Sequence, residues 1–428
     1  MIVLSGADLV LPDRMVSPGT IVIDGARIVD IRSGAAGGGH SHPPFAFYNH
    51  YIVPGFIDVH VHGVDGVDVL DDADSVRTVA AALPRYGVTA FCPTTVACTP
   101  EALRRTLHQV RNLRETPAAR GARVLPAHLE SNFINPAYHG AQPLSCLRSP
   151  AGSRHHLQVK GSRAGDRQTS SRANPGDFRS VGAGGQSVPA EAFTADDILN
   201  EIDRAAPDVG IVTLAPELEG GRDLIRWLTS RGHRVSLGHS AAGYEEALGA
   251  IALGATQATH LFNRMPPFGH RAPGLVGAIL QAEEVAAELI CDGVHVHPAV
   301  VRTAIAAKRP SRVLAITDGT AASGLPAGSR AMLGGQPITV RNSAAFLDDG
   351  TLAGSVSTME RVFQMLVGPI GLSLVDAATL CSTTPARELG LVRHGVLAVD
   401  AVADLLVLDA QFAVVQTYVG GELVYSRV

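Results

Sequence analysis

Residues 54–63 read Pro54-Gly55-Phe56-Ile57-Asp58-Val59-His60-Val61-His62-Gly63. A turn dipeptide opens an apolar run that ends in two histidines two positions apart, and side chains two apart on a strand point to the same side. The segment therefore predicts a strand that carries a pair of imidazoles to its C-terminal end. Seven further strand-like runs follow, at 88–93, 123–130, 209–215, 234–238, 257–261, 286–291 and 312–317. Helical patterns fall between them, for instance at 101–114, 222–229, 243–253 and 299–308. Strands alternating with helices in this way predict a parallel sheet, and eight such units predict an α/β protein built on a (β/α)8 TIM barrel. In that architecture chemistry sits at the C-terminal ends of the strands.

Outside the barrel, residues 2–10 and 20–31 alternate apolar and polar positions around Asp24-Gly25, and 403–408 and 414–428 do so around Gly420-Gly421. The two ends are expected to form one small β-sandwich domain, 1–52 with 395–428, flanking a catalytic barrel of 53–394. Residues 148–190 fit neither pattern: they hold seven basic and two acidic residues and few aliphatic ones. They read as an inserted flexible loop at the barrel mouth.

Composition narrows the classes. With 46% hydrophobic and 18% charged residues in 428, the chain can bury a large core. Lys plus Arg number 35 against 40 Asp plus Glu, so the basic excess that nucleic-acid binding needs is missing. No apolar run approaches the roughly 18 residues of a membrane helix. Five cysteines without C-x-x-C spacing suit buried thiols in a cytoplasmic protein better than a disulfide framework or a zinc ribbon. Seventeen histidines are the unusual count.

Several of those histidines fall where the barrel rule places chemistry. Glu130 closes the third strand, His239 the fifth and His260 the sixth, while His295 follows the seventh and Asp318 the eighth. Taken singly, each would be a helix cap or a structural hydrogen bond. Together with His60 and His62 they mark six strand ends on one rim, which points to a metal site. Imidazole and carboxylate ligands without thiolate suit a divalent ion such as Zn2+, Fe2+ or Co2+. An ion with an open position brings a bound water to near-neutral pKa for attack on a carbonyl. Asp318 is the natural proton carrier beside it.

The chain resembles the N-acetylglucosamine-6-phosphate deacetylases of the amidohydrolase superfamily, through 54–63, 128–142, 213–217, 238–240, 259–265, 271–277, 292–295, 317–318 and 350–359. The resemblance implies that Glu130, His239 and His260 hold the metal kept by every member, and that His60 and His62 complete a second site found in some. One or two divalent ions per chain follow, Zn2+ or Fe2+ foremost. It implies Asp318 as catalytic acid/base and His295 as a catalytic group touching substrate near the scissile amide. Asn263, Arg264 and Arg271 would receive the sugar phosphate, Ala141 and Gln142 would line the substrate, and Ser357, Thr358 and Met359 would cover it. A guanidinium at 271 suits phosphate because its fork binds two oxygens at once. A homodimer is also expected.

Three departures stand out. Ser131-Asn132 replaces a Gly-Pro after Glu130, Arg264 stands where a small residue is commoner, and Gln142 where a histidine often sits. The expected activity is metal-dependent hydrolysis of the N-acetyl amide of N-acetylglucosamine 6-phosphate. The same mechanism on another N-acetylated amino sugar or N-acyl compound is the alternative within the class. A catalytically silent scaffold barrel is disfavoured by the complete ligand set.

Overall fold

Strands Phe56–Val61, Val88–Thr95, Ala127–Glu130, Ala286–Ile290 and Val313–Ile316 are buried at every position, as strands covered on both faces must be. The computed structural model describes residues 1–35, 45–153 and 193–427. These strands pair in parallel with Val209–Leu214, Arg234–Leu237 and Ala255–Ala258 in sequence order. The sheet comes round on itself through a parallel bridge between Val61 and Gly319. There the amides of His62 and Gly63 both donate to the Gly319 carbonyl, at 2.8 and 3.0 Å. The architecture is a (β/α)8 barrel.

Three strand boundaries differ from the sequence reading. The run at 123–130 is two strands, Arg123–Val124 and Ala127–Glu130, because Pro126 between them has no N–H to give to a ladder. The fifth and sixth strands stop at Leu237 and Ala258, so His239 and His260 lie two residues past their ends. Both histidines adopt left-handed backbone, with φ of 48° and 28°.

The covering helices are amphipathic. In Pro100–Glu115 the Thr99 hydroxyl accepts from the Ala102 amide at 3.3 Å, and Pro100 occupies the first turn, where its missing N–H costs nothing. Leu103, Leu107, Val110 and Leu113 then fall on one face and are buried. Each such side chain contributes about 1.5–3 kcal/mol by leaving water.

The chain ends meet in a separate eight-stranded sheet, in which Leu405–Leu408 pairs antiparallel with Tyr51–Pro54, which lies parallel to Ile2–Val10. It has its own core of Leu4, Leu9, Ile21, Ile23, Ile52, Leu405 and Val407. Residues 148–153, assigned from sequence to the inserted loop, belong to the folded body. The Arg148 guanidinium stacks 3.7 Å from the Phe193 ring centroid, and its Nε donates to the Phe193 carbonyl at 2.8 Å. The rest of that loop expectation, 154–190, lies outside the described residues.

One element was not anticipated from sequence. Arg330–Leu333, Gln336–Arg341, Ala344–Leu347 and Leu352–Ser355 form a four-stranded antiparallel sheet after the eighth barrel strand. Its strands are short and partly exposed, so they carry little of the apolar patterning that marks the barrel. The sheet returns the chain at Ser355 to the barrel mouth, where the Ser355 amide donates to the Asp318 carbonyl at 2.8 Å. Gly354, at φ 58°, allows this approach: a Cβ there would lie 2.9 Å from the Asp318 carbonyl oxygen. Among the described residues no helix is long and apolar enough to cross a membrane.

Candidate active site

Six side chains from five strand ends converge at the C-terminal mouth in two groups. In the first, Glu130 Oε1 lies 2.7 Å from His239 Nε2 and 2.8 Å from His260 Nε2, with the two nitrogens 3.0 Å apart. In the second, Asp318 Oδ1 lies 3.2 Å from Nε2 of both His60 and His62, and those nitrogens are also 3.2 Å apart. Glu130 joins the groups, its carboxylate oxygens standing 3.8 Å from His60 Nε2 and 3.5 Å from His62 Nε2.

Local backbone explains the convergence. His239, His260 and Asp318 all have positive φ, a conformation costing of the order of 1–3 kcal/mol for residues with a Cβ. Surrounding bonds hold them there. The Asn135 amide donates to the His239 carbonyl at 2.9 Å, the His260 amide donates to Glu288 Oε2 at 3.3 Å, and Ser355 grips Asp318 as described.

The donor set fits a divalent cation. His62 Nδ1 faces the Thr94 carbonyl at 3.0 Å and His239 Nδ1 faces the Tyr138 carbonyl at 2.8 Å. A carbonyl only accepts, so Nδ1 carries the proton in each ring and Nε2 is left as a lone pair. Burial works to raise Glu130 and Asp318, but the surrounding imidazoles outweigh it and hold both carboxyls below their ordinary range. Burial likewise works to lower His60, yet Asp318, Glu288 and Glu130 raise it to about 10. Ionised carboxylates buried beside converging nitrogens call for positive charge, and one divalent ion satisfies both Nε2 atoms of a pair at once.

Comparison with known proteins agrees with this geometry. The amidohydrolase family model matches residues 230–424. An N-acetylglucosamine-6-phosphate deacetylase from Danio rerio is 35% identical over 390 residues, covering 89% of this chain and 85% of the relative. The Homo sapiens enzyme of that name is 34% identical, covering 96% and 90%. The chain belongs to the N-acetylglucosamine-6-phosphate deacetylase family. A deacetylase of this name from Mycobacterium smegmatis, solved as a mutant in complex with N-acetyl-D-glucosamine-6-phosphate, superposes with TM-score 0.81 at 29% identity, covering 99% of both chains. The Thermotoga maritima deacetylase gives 0.79 at 27% identity, covering all of both chains.

The departures from the deacetylase pattern are absorbed by the scaffold. The Ser131 hydroxyl donates to the Thr213 carbonyl at 2.5 Å, and Asn132 Nδ2 donates to the carbonyls of Cys98 and Cys146 at 2.8 and 2.7 Å. Both side chains are buried. Gln142, expected to line the substrate, is buried with both ends engaged: Nε2 donates to Glu130 Oε2 and Oε1 accepts from the Ala97 amide. The glutamine therefore holds the Glu130 carboxylate in place.

The substrate-side residues are more scattered. His295 is tied to Asp292, its Nδ1 lying 2.7 Å from Oδ2 and its amide 2.9 Å from Oδ1. Asn263 Nδ2 donates to the His260 carbonyl at 3.2 Å, beside the first ligand group. Arg264 is exposed and packs over Gly140, where a Cβ would lie 2.7 Å from its Nε. Arg271 is exposed and makes no hydrogen bond or ion pair among the described residues. The Ala141 carbonyl accepts from Gln336 Nε2 at 2.7 Å. Ser357 is half-buried and Thr358 precedes helix Met359–Val367. Met359 itself is fully buried and its side chain packs in the barrel core.

Residues not singled out from sequence complete the surroundings. Asp58 Oδ2 accepts from the Thr317 hydroxyl at 2.6 Å, and burial pushes its carboxyl up to about 7. Glu217 accepts from Ser240 Oγ at 2.7 Å and from the Ala241 amide, fixing the loop after His239. Glu288, buried within Ala286–Ile290, touches both ligand groups. The signal available for Glu288 was a lone carboxylate inside an otherwise apolar strand, and for Asp58 a carboxylate two residues before His60 in a largely apolar one.

Proposed function

We infer that this chain hydrolyses the N-acetyl amide of N-acetylglucosamine 6-phosphate, yielding glucosamine 6-phosphate and acetate. The observation that carries the reading is the complete pair of ligand groups meeting at Glu130, in a chain of this deacetylase family. Glu130, His239 and His260 would hold one divalent ion, and His60 and His62 a second, with Zn2+ or Fe2+ best suited to nitrogen and oxygen donors. Such an ion, when bound, polarises a carbonyl and lowers the pKa of water.

The chain's own groups do the rest. Asp318, kept ionised by His60 and His62, takes a proton from the attacking water at a carboxylate oxygen. It returns that proton to the amide nitrogen as the C–N bond breaks, so the amine leaves neutral and the acyl carbon leaves as acetic acid, which gives up its proton to solvent to become acetate. His295, with Nδ1 committed to Asp292, has Nε2 left for the substrate near the scissile amide. The unpaired guanidinium of Arg271, with Asn263, is assigned to the sugar phosphate. A homodimer is proposed from the family resemblance. A cytoplasmic location is supported by five cysteines that are all buried free thiols.

The test is acetate release from N-acetylhexosamines of gluco and galacto configuration, each with and without 6-phosphate. The reading expects N-acetylglucosamine 6-phosphate to give the highest kcat/KM. Preference for a substrate without phosphate would refute the substrate assignment.

A further inference from the structure

Glu288 lies at the centre of strand Ala286–Ile290 and is fully buried, yet it belongs to neither ligand group facing the barrel mouth. A carboxylate in that position needs donors on every side. Gln257 Nε2 donates to its Oε1 at 2.6 Å. Its Oε2 lies 2.9 Å from His60 Nδ1 and accepts from the His260 amide at 3.3 Å. His128 Nδ1 stands 3.8 Å from Oε1. One oxygen thus touches a residue from each ligand group.

His60 is held differently from its neighbours. His62 and His239 rest Nδ1 on backbone carbonyls, which fix the tautomer and add no net charge. His60 rests Nδ1 on a carboxylate, an arrangement that also makes the ring more basic and Nε2 a better electron-pair donor. The group with the greater need for such help is the one containing His60. The Glu130, His239 and His260 group has its own carboxylate between the imidazoles at 2.7 and 2.8 Å, whereas Asp318 stands 3.2 Å from each imidazole of its pair and is needed for proton transfer.

We propose that Glu288 is the positioning residue that makes His60 a metal ligand: it keeps the proton on Nδ1, aims Nε2 at His62 and Asp318, and so enables a second divalent ion to bind. The proposal rests on the metal-dependent reading above and assigns the second ion's site to a residue that reading does not use.

The experiment strips wild type, Glu288→Gln, Glu288→Ala and His60→Gln of metal, then titrates each with Zn2+ against a chromophoric chelator. Ion count and affinity are read without any assay of activity. Wild type should take up two ions. Glu288→Ala should weaken one of them by about 10- to 100-fold and leave the other unchanged, with Glu288→Gln losing less because its amide oxygen can still accept from Nδ1. In Co2+-loaded protein the visible absorption of that one site should change in the Glu288→Gln variant. Glu288→Gln keeps the side chain's shape and carries the test if the alanine variant does not fold.

Two results overturn the proposal: both Glu288 variants matching wild type in count, affinity and Co2+ spectrum, or both sites weakening equally alongside a lower melting temperature, which makes Glu288 a packing group. A wild type that holds one ion, unaffected by His60→Gln, also overturns it while leaving deacetylation through the Glu130 group intact. A wild type that binds no ion removes the metal-dependent reading itself.

Discussion

Gln142 bridges Ala97 and Glu130, accepting from the Ala97 amide at 2.7 Å and donating to the oxygen of Glu130 that faces away from His239 and His260. Replacing it by Leu keeps the volume and strands both partners, at a cost of roughly 1–3 kcal/mol in unfolding free energy. Because the side chain holds the Glu130 carboxylate, Gln142→Leu should lower kcat with little change in KM. Steady-state kinetics decide this, since a direct substrate contact would raise KM instead.

Asp318→Asn preserves shape and removes the proton carrier. Turnover should fall by about 10^2- to 10^4-fold while substrate still binds, as expected for loss of a general acid/base. Metal analysis on the same preparation separates the roles. Loss of an ion together with the rate would make Asp318 chiefly a ligand.

Arg271→Ala should cost phosphorylated substrate about 1.5–3 kcal/mol, roughly ten- to a hundredfold in kcat/KM, and leave the unphosphorylated sugar nearly unaffected. Arg264→Ala, which removes a guanidinium packed over Gly140, should cost less. Equal losses on both sugars in the Arg271 variant would assign that residue to the loop structure.

Alkaline pH should destabilise the fold through its thiols. Burial raises Cys92, Cys98, Cys146, Cys291 and Cys381 above the ordinary thiol value. Above about pH 8.5 the unfolded chain loses those protons before the folded chain does, so stability falls as pH rises. Lys308 opposes this in part. Burial lowers it to about 8, so between there and the unfolded lysine value its contribution grows with pH. Urea unfolding in reductant across this range should show a net loss, made shallower in Cys381→Ala. A flat profile would contradict the burial of the thiols as ionisable groups.

What the sequence revealed was whatever depended on periodicity and turn chemistry. Strand 54–63 announced itself by an apolar run ending in His60 and His62, and the terminal sheet by alternation around Asp24-Gly25 and Gly420-Gly421. The clustered side chains Glu130, His239, His260 and Asp318 were legible because the barrel rule says where to look. Their aim was not, because it depends on left-handed backbone past the strand ends and on Ser355, which a sheet of short, half-exposed strands brings back from 37 positions downstream of Asp318. The hold of Gln142 on Glu130 and of Glu288 on His60 was not legible, for a related reason. Each acts by holding another side chain, and pairings between residues far apart in the chain leave no local pattern.

Deacetylation should depend on a divalent ion held by Glu130, His239 and His260. The most direct measurement is acetate release from N-acetylglucosamine 6-phosphate by chelator-stripped protein as Zn2+ is returned in known equivalents, with Glu130→Ala run in parallel. Stripped wild type should be inactive, activity should return by one or two equivalents per chain, and the Glu130 variant should not recover. Full activity in the stripped protein, or equal recovery in Glu130→Ala, would contradict it.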